Sequence, residues 1–352
     1  LATKYLCWGE AIMVRTEFII FYIIFLFTLS GCRENLVGID PANTYKDNYL
    51  SLWKGFDQNY SYFSHKNIDW DSLYFAYEPR LDTVKSDQGL FNVLSGLISN
   101  LRDSHSVLIS PDSTYVYKTE YDSSYDPILI YLRYLDTNST SKDNSPFTYG
   151  TIRSEFGYVH IRSFAGSKNS FKEIDEILEQ FTDHTGIILD LRTNGGGSDI
   201  NSYLIASRFA EEPTLARKIR YRNGPGRNDF SPVIENYIEP AGKTYTKPVA
   251  ILTDQSIYSA AEDFVLAMRQ FPNVTVFGTH TGGASGNPVT LNLPNGWLYR
   301  VSRWQVFQPE NDSLYEGYGL EPDEFVVQTP RDYDNRQDAR IEAALRWIRS
   351  FE

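Results

Sequence analysis

The chain has 352 residues, 41% hydrophobic and 22% charged, an ordinary globular composition that can bury one large core or two unequal ones. Its formal net charge of −12 argues against a nucleic-acid partner, because nucleic acids bind basic surfaces. Only two cysteines and five scattered histidines occur, and no motif points to a cofactor, so neither a disulfide framework nor a metal site is predicted.

Residues 13–32 predict a lipoprotein signal peptide. A basic residue precedes an unbroken apolar run, Phe18–Phe27, which is too short to span a bilayer as a helix but fits a signal-peptide hydrophobic region. The segment LSGC at 29–32 resembles a bacterial lipobox, in which Cys32 is acylated; a plain signal peptide with an incidental cysteine is the alternative. We expect a protein held by its lipid at a membrane of the bacterial cell envelope, with residues 33–45 as a polar tether.

Residues 46–108 predict a small domain of about three helices. The first covers about 47–60, and Pro79 separates the second from the third. The third, 87–101, is the clearest, because its apolar residues fall on one face of a helix. These residues are Leu90, Phe91, Leu94, Leu97, Ile98 and Leu101.

Strands, and then strands alternating with helices, are predicted from residue 109 onward. The predicted strands are Ile128–Leu135, Gly157–Phe164, Gly186–Leu191, Val249–Thr253 and Val274–Gly278, and the predicted helices are Ser170–Phe181, Asp199–Ala210, Ser259–Gln270 and about 336–349. Such alternation implies βαβ crossovers and a central sheet covered by helices. The predicted fold class is therefore α/β (α+β), with the helical domain packed on a core formed by residues 109–352.

The segment QSIYSAAE at 255–262 follows a buried strand and begins a helix at Ser259. Open α/β sheets place reactive groups where a strand leads into a helix, and the unpaired amide of Ala260 at the helix start favours an oxyanion. The same segment also fits a helix cap, because Ser259 and Glu262 form a Ser-x-x-Glu capping box. Taken alone, this segment favours the cap.

A glycine-rich segment, DLRTNGGG at 190–197, follows another buried strand and contains no phosphate-binding motif. Together with residues 255–262 it resembles the D-x-R-x-N-x-G-G and nucleophile motifs of the tricorn / C-terminal-processing peptidases. The resemblance extends to LRDSHS at 101–106 and EGYGLEPD at 316–323, in the family's order, and covers about residues 46–350.

This resemblance implies a serine peptidase with a ClpP/crotonase-like core and a peptide or protein substrate. It assigns Ser259 as the nucleophile and His105 as the general base, with Ser104 and Glu316 orienting and polarising the base. No cofactor is implied, and neither the cleavage preference nor the oligomeric state follows from the sequence.

An oxyanion hole is also implied, formed by the backbone amide of Ala260 and that of Gly197, with Gly196 as the close alternative. The alternative function is a catalytically inactive lipoprotein of the same fold, similar to interphotoreceptor retinoid-binding protein, that binds apolar or peptide ligands. The retained serine, histidine and glycine loop favour the peptidase.

Two departures from the family are visible. C-terminal-processing peptidases use a Ser–Lys dyad with the lysine about 25 positions after the serine, but that position is Ala284, and no lysine follows Lys247. The catalytic set is therefore expected to be of the tricorn kind. Too few residues separate His105 from the strand at 157 to accommodate a PDZ domain, so recognition of a substrate by a PDZ groove is not expected.

Overall fold

The computed structural model describes residues 43–118, 124–136, 140 and 143–351. The predicted signal peptide with Cys32, and most of the predicted tether, lie outside these residues. Within them, no helix combines the length and the apolar character needed to cross a membrane.

Ten α-helices and a 3-10 turn occur within the described ranges. The helices are α1 (Tyr45–Asn59), α2 (Trp70–Tyr77), α3 (Asp87–Ser99), α4 (Pro127–Arg133), α5 (Lys168–Phe171), α6 (Glu173–Gln180), α7 (Asp199–Ala206), α8 (Ala260–Met268), α9 (Pro330–Asp334) and α10 (Ala339–Arg349). The 3-10 turn, Glu78–Thr83, follows α2 directly. Side-chain caps begin several helices: Ser86 Oγ, for example, accepts the Gly89 amide at the start of α3.

Thirteen strands in the described residues form three sheets. They are β1 (Val107–Ile109), β2 (Thr114–Val116), β3 (Phe147–Ile152), β4 (Phe156–Ile161), β5 (Gly186–Asp190), β6 (Thr214–Tyr221), β7 (Ile234–Ile238), β8 (Val249–Thr253), β9 (Val274–Gly278), β10 (Pro288–Asn292), β11 (Leu298–Ser302), β12 (Trp304–Phe307) and β13 (Glu324–Phe325). The strand orders are β13-β9-β8-β5-β4-β3, β10-β11-β1-β2 and β12-β6-β7.

The six-stranded sheet confirms the predicted α/β class. Its strands from β4 to β13 are parallel, and only β3 runs antiparallel. Strands β5 and β8 are direct neighbours, with Asp190 opposite Leu252. Because parallel neighbours end at the same edge of a sheet, the segments that follow Asp190 and Thr253 emerge side by side.

The helical region and the β10–β11 hairpin share one hydrophobic core. Side chains of α1 and α3 pack with buried residues of the hairpin; those hairpin residues are Leu293, Trp297, Tyr299 and Val301. Strand β1 pairs with β11, so the predicted domain boundary at residue 108 falls inside a strand. A separate, larger core lies under the central sheet. The helical region therefore contacts the rest of the chain both through this shared core and through the pairing of β1 with β11.

One predicted element is wrong in kind, and another is divided in two. Residues 128–135, predicted as a strand, form helix α4, because the Asp126 carboxylate accepts the amides of Ile128 and Leu129 and Pro127 occupies the first helical position. The single helix predicted over 170–181 is two helices, α5 and α6, which meet at Lys172. The capping signal before α4 was present in the sequence, but its apolar residues suggested a strand.

Candidate active site

Ser259 occupies the turn between β8 and α8 with φ +61° and ψ −132°, a backbone conformation that non-glycine residues rarely adopt. Its amide donates to the carbonyl oxygen of Ala284 at 3.0 Å and to the Glu262 carboxylate at 3.2 Å. The second contact is one half of the capping box that the sequence allowed, and it uses the backbone of Ser259 rather than its hydroxyl. The surrounding structure therefore holds the serine in a strained turn at the edge of the central sheet.

Glu262 anchors this turn to the segment 281–284. Its fully buried carboxylate accepts the Thr281 hydroxyl at 2.5 Å, the Gly283 amide at 2.7 Å and the Ala284 amide at 3.0 Å. Burial raises the pKa of Glu262 to about 8, although these hydrogen bonds act in the opposite direction. The sequence indicated only a helix cap for this residue, and its wider structural role was missed.

The glycine loop lies directly against Ser259. Gly196 has φ +90°, and a Cβ added to it would lie 2.8 Å from Ser259 Cβ and 2.7 Å from the carbonyl oxygen of Tyr258. Gly197 has φ +140°, and a Cβ there would lie 2.2 Å from the Ala165 nitrogen. Neither position has room for a side chain, so the loop can approach the serine only as glycine.

The amides of this loop differ in what they contact. The Gly196 amide donates to Asn194 Oδ1 at 2.9 Å. The bridge between Gly197 and Phe164 uses the Gly196 carbonyl oxygen and the Ser198 amide, so the Gly197 amide faces away from Phe164. Among the described residues, no acceptor bonds the amide of Gly197.

Ala260 supplies a second free amide beside the same loop. Its nitrogen lies 3.1 Å from the position that a Cβ on Gly196 would take. The first residue of a helix has no intrahelical acceptor for its amide, and none bonds the Ala260 amide within the described part of the chain. The amides of Gly197 and Ala260 are thus free, whereas the amide of Gly196, the loop residue that contacts Ser259, is already occupied.

His105 lies in the turn between α3 and β1, where an aspartate fixes its backbone. Its amide donates to Asp103 Oδ1 at 2.7 Å, and Asp103 Oδ2 accepts the Ser302 hydroxyl at 2.7 Å. The His105 ring lies 6.4 Å from the ring of Tyr258, which precedes Ser259. No hydrogen bond joins His105 to Ser259 in the described contacts. Asp103 belongs to the LRDSHS segment, but no role is predicted for it from the sequence.

The His105 side chain is 7% exposed, and its Nδ1 is buried without a partner among the described residues. Burial lowers the pKa of the imidazole, although the carboxylates of Asp103 and Glu316 favour its charged form. The lowered pKa favours the neutral ring, which is the state that a general base requires.

Glu316 is buried and bonded to partners that the sequence did not identify. Its Oε1 lies 2.8 Å from Lys66 Nζ, and its Oε2 accepts the Ser285 amide at 2.7 Å and the Ser285 hydroxyl at 3.0 Å. No described hydrogen bond links the Glu316 carboxylate to His105 or Ser104. The predicted role of Glu316 in orienting the base stays a prediction.

Lys66 connects the helical region to this site, because its ammonium also donates to the Arg102 carbonyl oxygen at 3.0 Å. Burial opposes a charge on Lys66, but the carboxylates of Glu316 and Asp103 outweigh it and raise the pKa of the ammonium. A lysine whose pKa is raised is disfavoured as a general base at neutral pH. No pattern in the sequence marked Lys66, because its partner lies 250 residues away.

The predicted residues Ser104 and Glu316 line one cleft, of about 330 Å³. Other residues along it include His65, Lys66, Gly282, Gly283 and Tyr318. Gly283 is adjacent to Ala284, whose carbonyl accepts the Ser259 amide, so the cleft lies beside the serine turn. No group of metal-binding side chains occurs among the described residues.

Comparison with known proteins identifies the family to which this chain is similar. Residues 155–326 match Peptidase family S41, and residues 41–99 match the Tricorn protease C1 domain. A crystal structure from Parabacteroides merdae, described as a peptidase, is similar at 34% sequence identity and a TM-score of 0.79, covering 87% of this chain and 97% of that one.

Two curated relatives are similar over shorter shares. The Tricorn protease of Thermoplasma volcanium is 23% identical over 220 residues, which are 61% of this chain and 19% of that protein. A CtpA-like serine protease of Staphylococcus haemolyticus is 23% identical over 193 residues, 49% of this chain and 36% of that protein. This chain therefore spans only about a fifth to a third of those relatives. The chain belongs to Peptidase family S41, within the tricorn / C-terminal-processing superfamily of serine peptidases, as its motifs predicted.

Proposed function

We propose that this protein hydrolyses peptide bonds through an acyl-enzyme formed on Ser259. The observation that carries the proposal is the strained turn of Ser259, packed against the glycine loop, with the amides of Gly197 and Ala260 left unpartnered. Strain of this kind persists only where the surroundings enforce it, and it is concentrated at functional sites. A helix cap alone needs neither the positive φ nor the free donors.

In the proposed mechanism, Ser259 Oγ attacks the substrate carbonyl carbon while His105 accepts the hydroxyl proton. The amides of Gly197 and Ala260 donate to the resulting oxyanion, and loss of one such donor typically lowers turnover by about 10²–10³-fold. His105 then protonates the leaving amine as the C–N bond breaks. A water molecule attacks the ester by the reverse sequence and releases the acid and free Ser259.

The remaining members of the proposed catalytic set are Ser104 and Glu316. Glu316 favours the charged form of His105 electrostatically, so it stabilises the imidazolium that forms during attack. A Ser–Lys mechanism is disfavoured, because Ala284 occupies the usual lysine position and Lys66 is held protonated by Glu316. The set therefore supports the tricorn type, a variant of the triad logic on another fold.

A fluorophosphonate tests the proposal, because it phosphonylates only a serine that is activated as a nucleophile. We expect one modified residue, Ser259, identified by mass spectrometry, and no labelling in Ser259→Ala. Ser256→Ala is not a suitable control because Ser256 supports the glycine loop by accepting the Thr193 amide. Ser95→Ala, at a half-buried serine of α3, serves instead. A wild-type protein that is neither labelled nor hydrolyses a peptide library, but binds apolar ligands, would favour the inactive binding protein.

We also propose that Cys32 carries a lipid that holds the protein at a membrane of the bacterial cell envelope. The support is the apolar run at 18–27 followed by LSGC. Cys32→Ser should turn an acylated, membrane-associated protein into an unlipidated one, as measured by fractionation and by mass spectrometry of the mature N-terminus. A mature N-terminus elsewhere, with Cys32 unmodified, would contradict the proposal.

A further inference from the structure

Arg217 lies on β6 and forms ion pairs with the first turns of two helices. Its Nη2 lies 2.9 Å from Asp199 Oδ2, and its Nη1 contacts Asp263 Oδ2. Its Nε donates to Asn236 Oδ1 at 3.1 Å. A guanidinium presents its donors in a rigid planar fork, so one side chain joins two carboxylates in a fixed relation.

The two helices that Arg217 joins begin at or just after the two free amides of the site. Asp199 is the first residue of α7 and follows Gly197 by two positions. Asp263 lies on α8, three positions after Ala260 and so about one helical turn away. Arg217 therefore links the two elements between which the substrate oxyanion would form.

Neighbouring residues hold the Arg217 side chain in one specific position. The register of β6 on β7 shifts between Leu215 and Arg217, and such an irregularity re-aims the side chain beside it. The Arg217 side chain is 5% exposed and lies between the rings of Tyr203 and Trp304, 5.3 and 5.8 Å from its guanidinium carbon. A buried cation is costly unless every donor is matched, and here both carboxylates and an amide oxygen match it.

We propose that Arg217 is a positioning residue that fixes the separation of the Gly197 and Ala260 amides and thereby sets the oxyanion hole. The inference rests on the proposed function, and it adds a residue that touches neither the nucleophile nor the cleft. Its effect should appear in the transition state, because oxyanion donors act there and not on the bound peptide.

Arg217→Met keeps an apolar stem between Tyr203 and Trp304 but removes both ion pairs. We expect kcat to fall about 10–100-fold, less than the loss of a whole donor, with KM changed less than about twofold. The inhibition constant of a peptide trifluoromethyl ketone, whose adduct carries an oxyanion, should rise in parallel with the loss in kcat/KM. Arg217→Lys can reach only one carboxylate at a time and should fall between the wild type and Arg217→Met.

Arg220→Met is the matched control, because Arg220 lies on the same strand and its Nε donates to Gln305 at 2.7 Å without an ion pair to α7 or α8. It should leave kcat within about twofold. If Arg217→Met does not fold, Asp199→Asn can replace it, because it removes only one ion pair, at the partly exposed end of the network. We then expect a smaller fall in kcat, again with little change in KM.

Hydrogen exchange provides a readout that does not depend on activity. Peptides covering 193–203 and 257–266 should exchange faster in Arg217→Met and not in Arg220→Met, since the two segments lose their common anchor. Unchanged exchange, or a rise in KM that accounts for the whole loss in kcat/KM, would overturn the inference. If the wild type is not labelled at Ser259, the proposed function fails, and hydrogen exchange still decides whether Arg217 couples the two segments.

Discussion

Gly196 lies against Ser259 so closely that a methyl group on the glycine would come within 2.8 Å of Ser259 Cβ. Its other neighbours are the carbonyl oxygen of Tyr258 and the amide nitrogen of Ala260, both main-chain atoms. Backbone cannot rotate away as the end of a flexible side chain can. The glycine loop and the serine turn therefore pack as one unit, and a change in either must move the other.

Gly196→Ala should lower kcat/KM at least about 100-fold, because the displaced amides no longer face the oxyanion together. Gly296 is a matched control: it has φ +86°, close to the +90° of Gly196, but nothing lies within 4 Å of its Cβ position. Gly296→Ala therefore carries the same backbone strain, about 1 kcal/mol, without the clash, and should retain activity. Equal activity losses in the two variants would show that strain, not displacement of Ser259, is responsible.

The pH dependence of kcat/KM should report the protonation of the buried His105. Burial lowers the pKa of this imidazole, and only its neutral form accepts the serine proton, so the acid limb of kcat/KM should lie below pH 6.5. Asp103→Asn removes a charge that raises this pKa and should move the limb to still lower pH. His105→Ala should lose about 10²–10⁴-fold in turnover, whereas Lys247→Ala should be nearly unaffected. Full activity in His105→Ala would point to another base.

The Lys66–Glu316 pair should matter far more to stability than a pair at the surface. Its side chains are 7% and 1% exposed, so Lys66→Met leaves a buried carboxylate without its cation and should cost about 3–5 kcal/mol of unfolding free energy. The double variant Lys66→Met/Glu316→Gln removes that charge and should recover part of the loss. Lys46→Met, which breaks the exposed pair with Glu78, should leave the urea midpoint unchanged. Similar midpoint shifts in Lys66→Met and Lys46→Met would refute this account.

Glu262 should make stability fall as the solution becomes alkaline. Its folded-state pKa of about 8 lies above the ordinary value of 4.5, so the folded protein holds a proton that the unfolded chain releases. The contribution is fully present below about pH 4.5 and is lost as the pH rises through 8. Glu262→Gln, which cannot titrate, should flatten this part of the curve in urea titrations between pH 5 and 9. An unchanged slope would assign the effect to other groups.

The parts of the site that lie on short sequence motifs could be predicted, and those that depend on distant contacts could not. The strand-to-helix turn at Ser259 and the triple glycine each follow a buried apolar strand, so local pattern placed both at one sheet edge. Lys66 carries no local signal, because what defines it is a carboxylate 250 positions later. Arg217 depends on a register shift in β6, which no hydrophobic periodicity reveals.

The secondary structure also divides into parts that local sequence patterns predict and parts that depend on distant contacts. Parallel strands such as β5 and β8 are fully buried, and their apolar runs identified them within one residue. Helix α4 was mistaken for a strand because three of its apolar residues are exposed and so do not mark a buried face; they are Ile128, Tyr131 and Leu132. The shared core of helices and hairpin could not be predicted either, since it joins residues roughly 200 positions apart.

The β10–β11 hairpin limits which parts of this chain can be exchanged between related proteins. The stretch matched by the S41 family, 155–326, includes the hairpin but not the helices that cover it. Expressed by itself, that stretch would expose Trp297, Tyr299 and Val301 to water and would lack His105. We therefore expect helical regions to be exchangeable between relatives only together with the hairpin that they cover. Because the two stretches are far apart in the gene, a recombination that yields a folded protein must replace both.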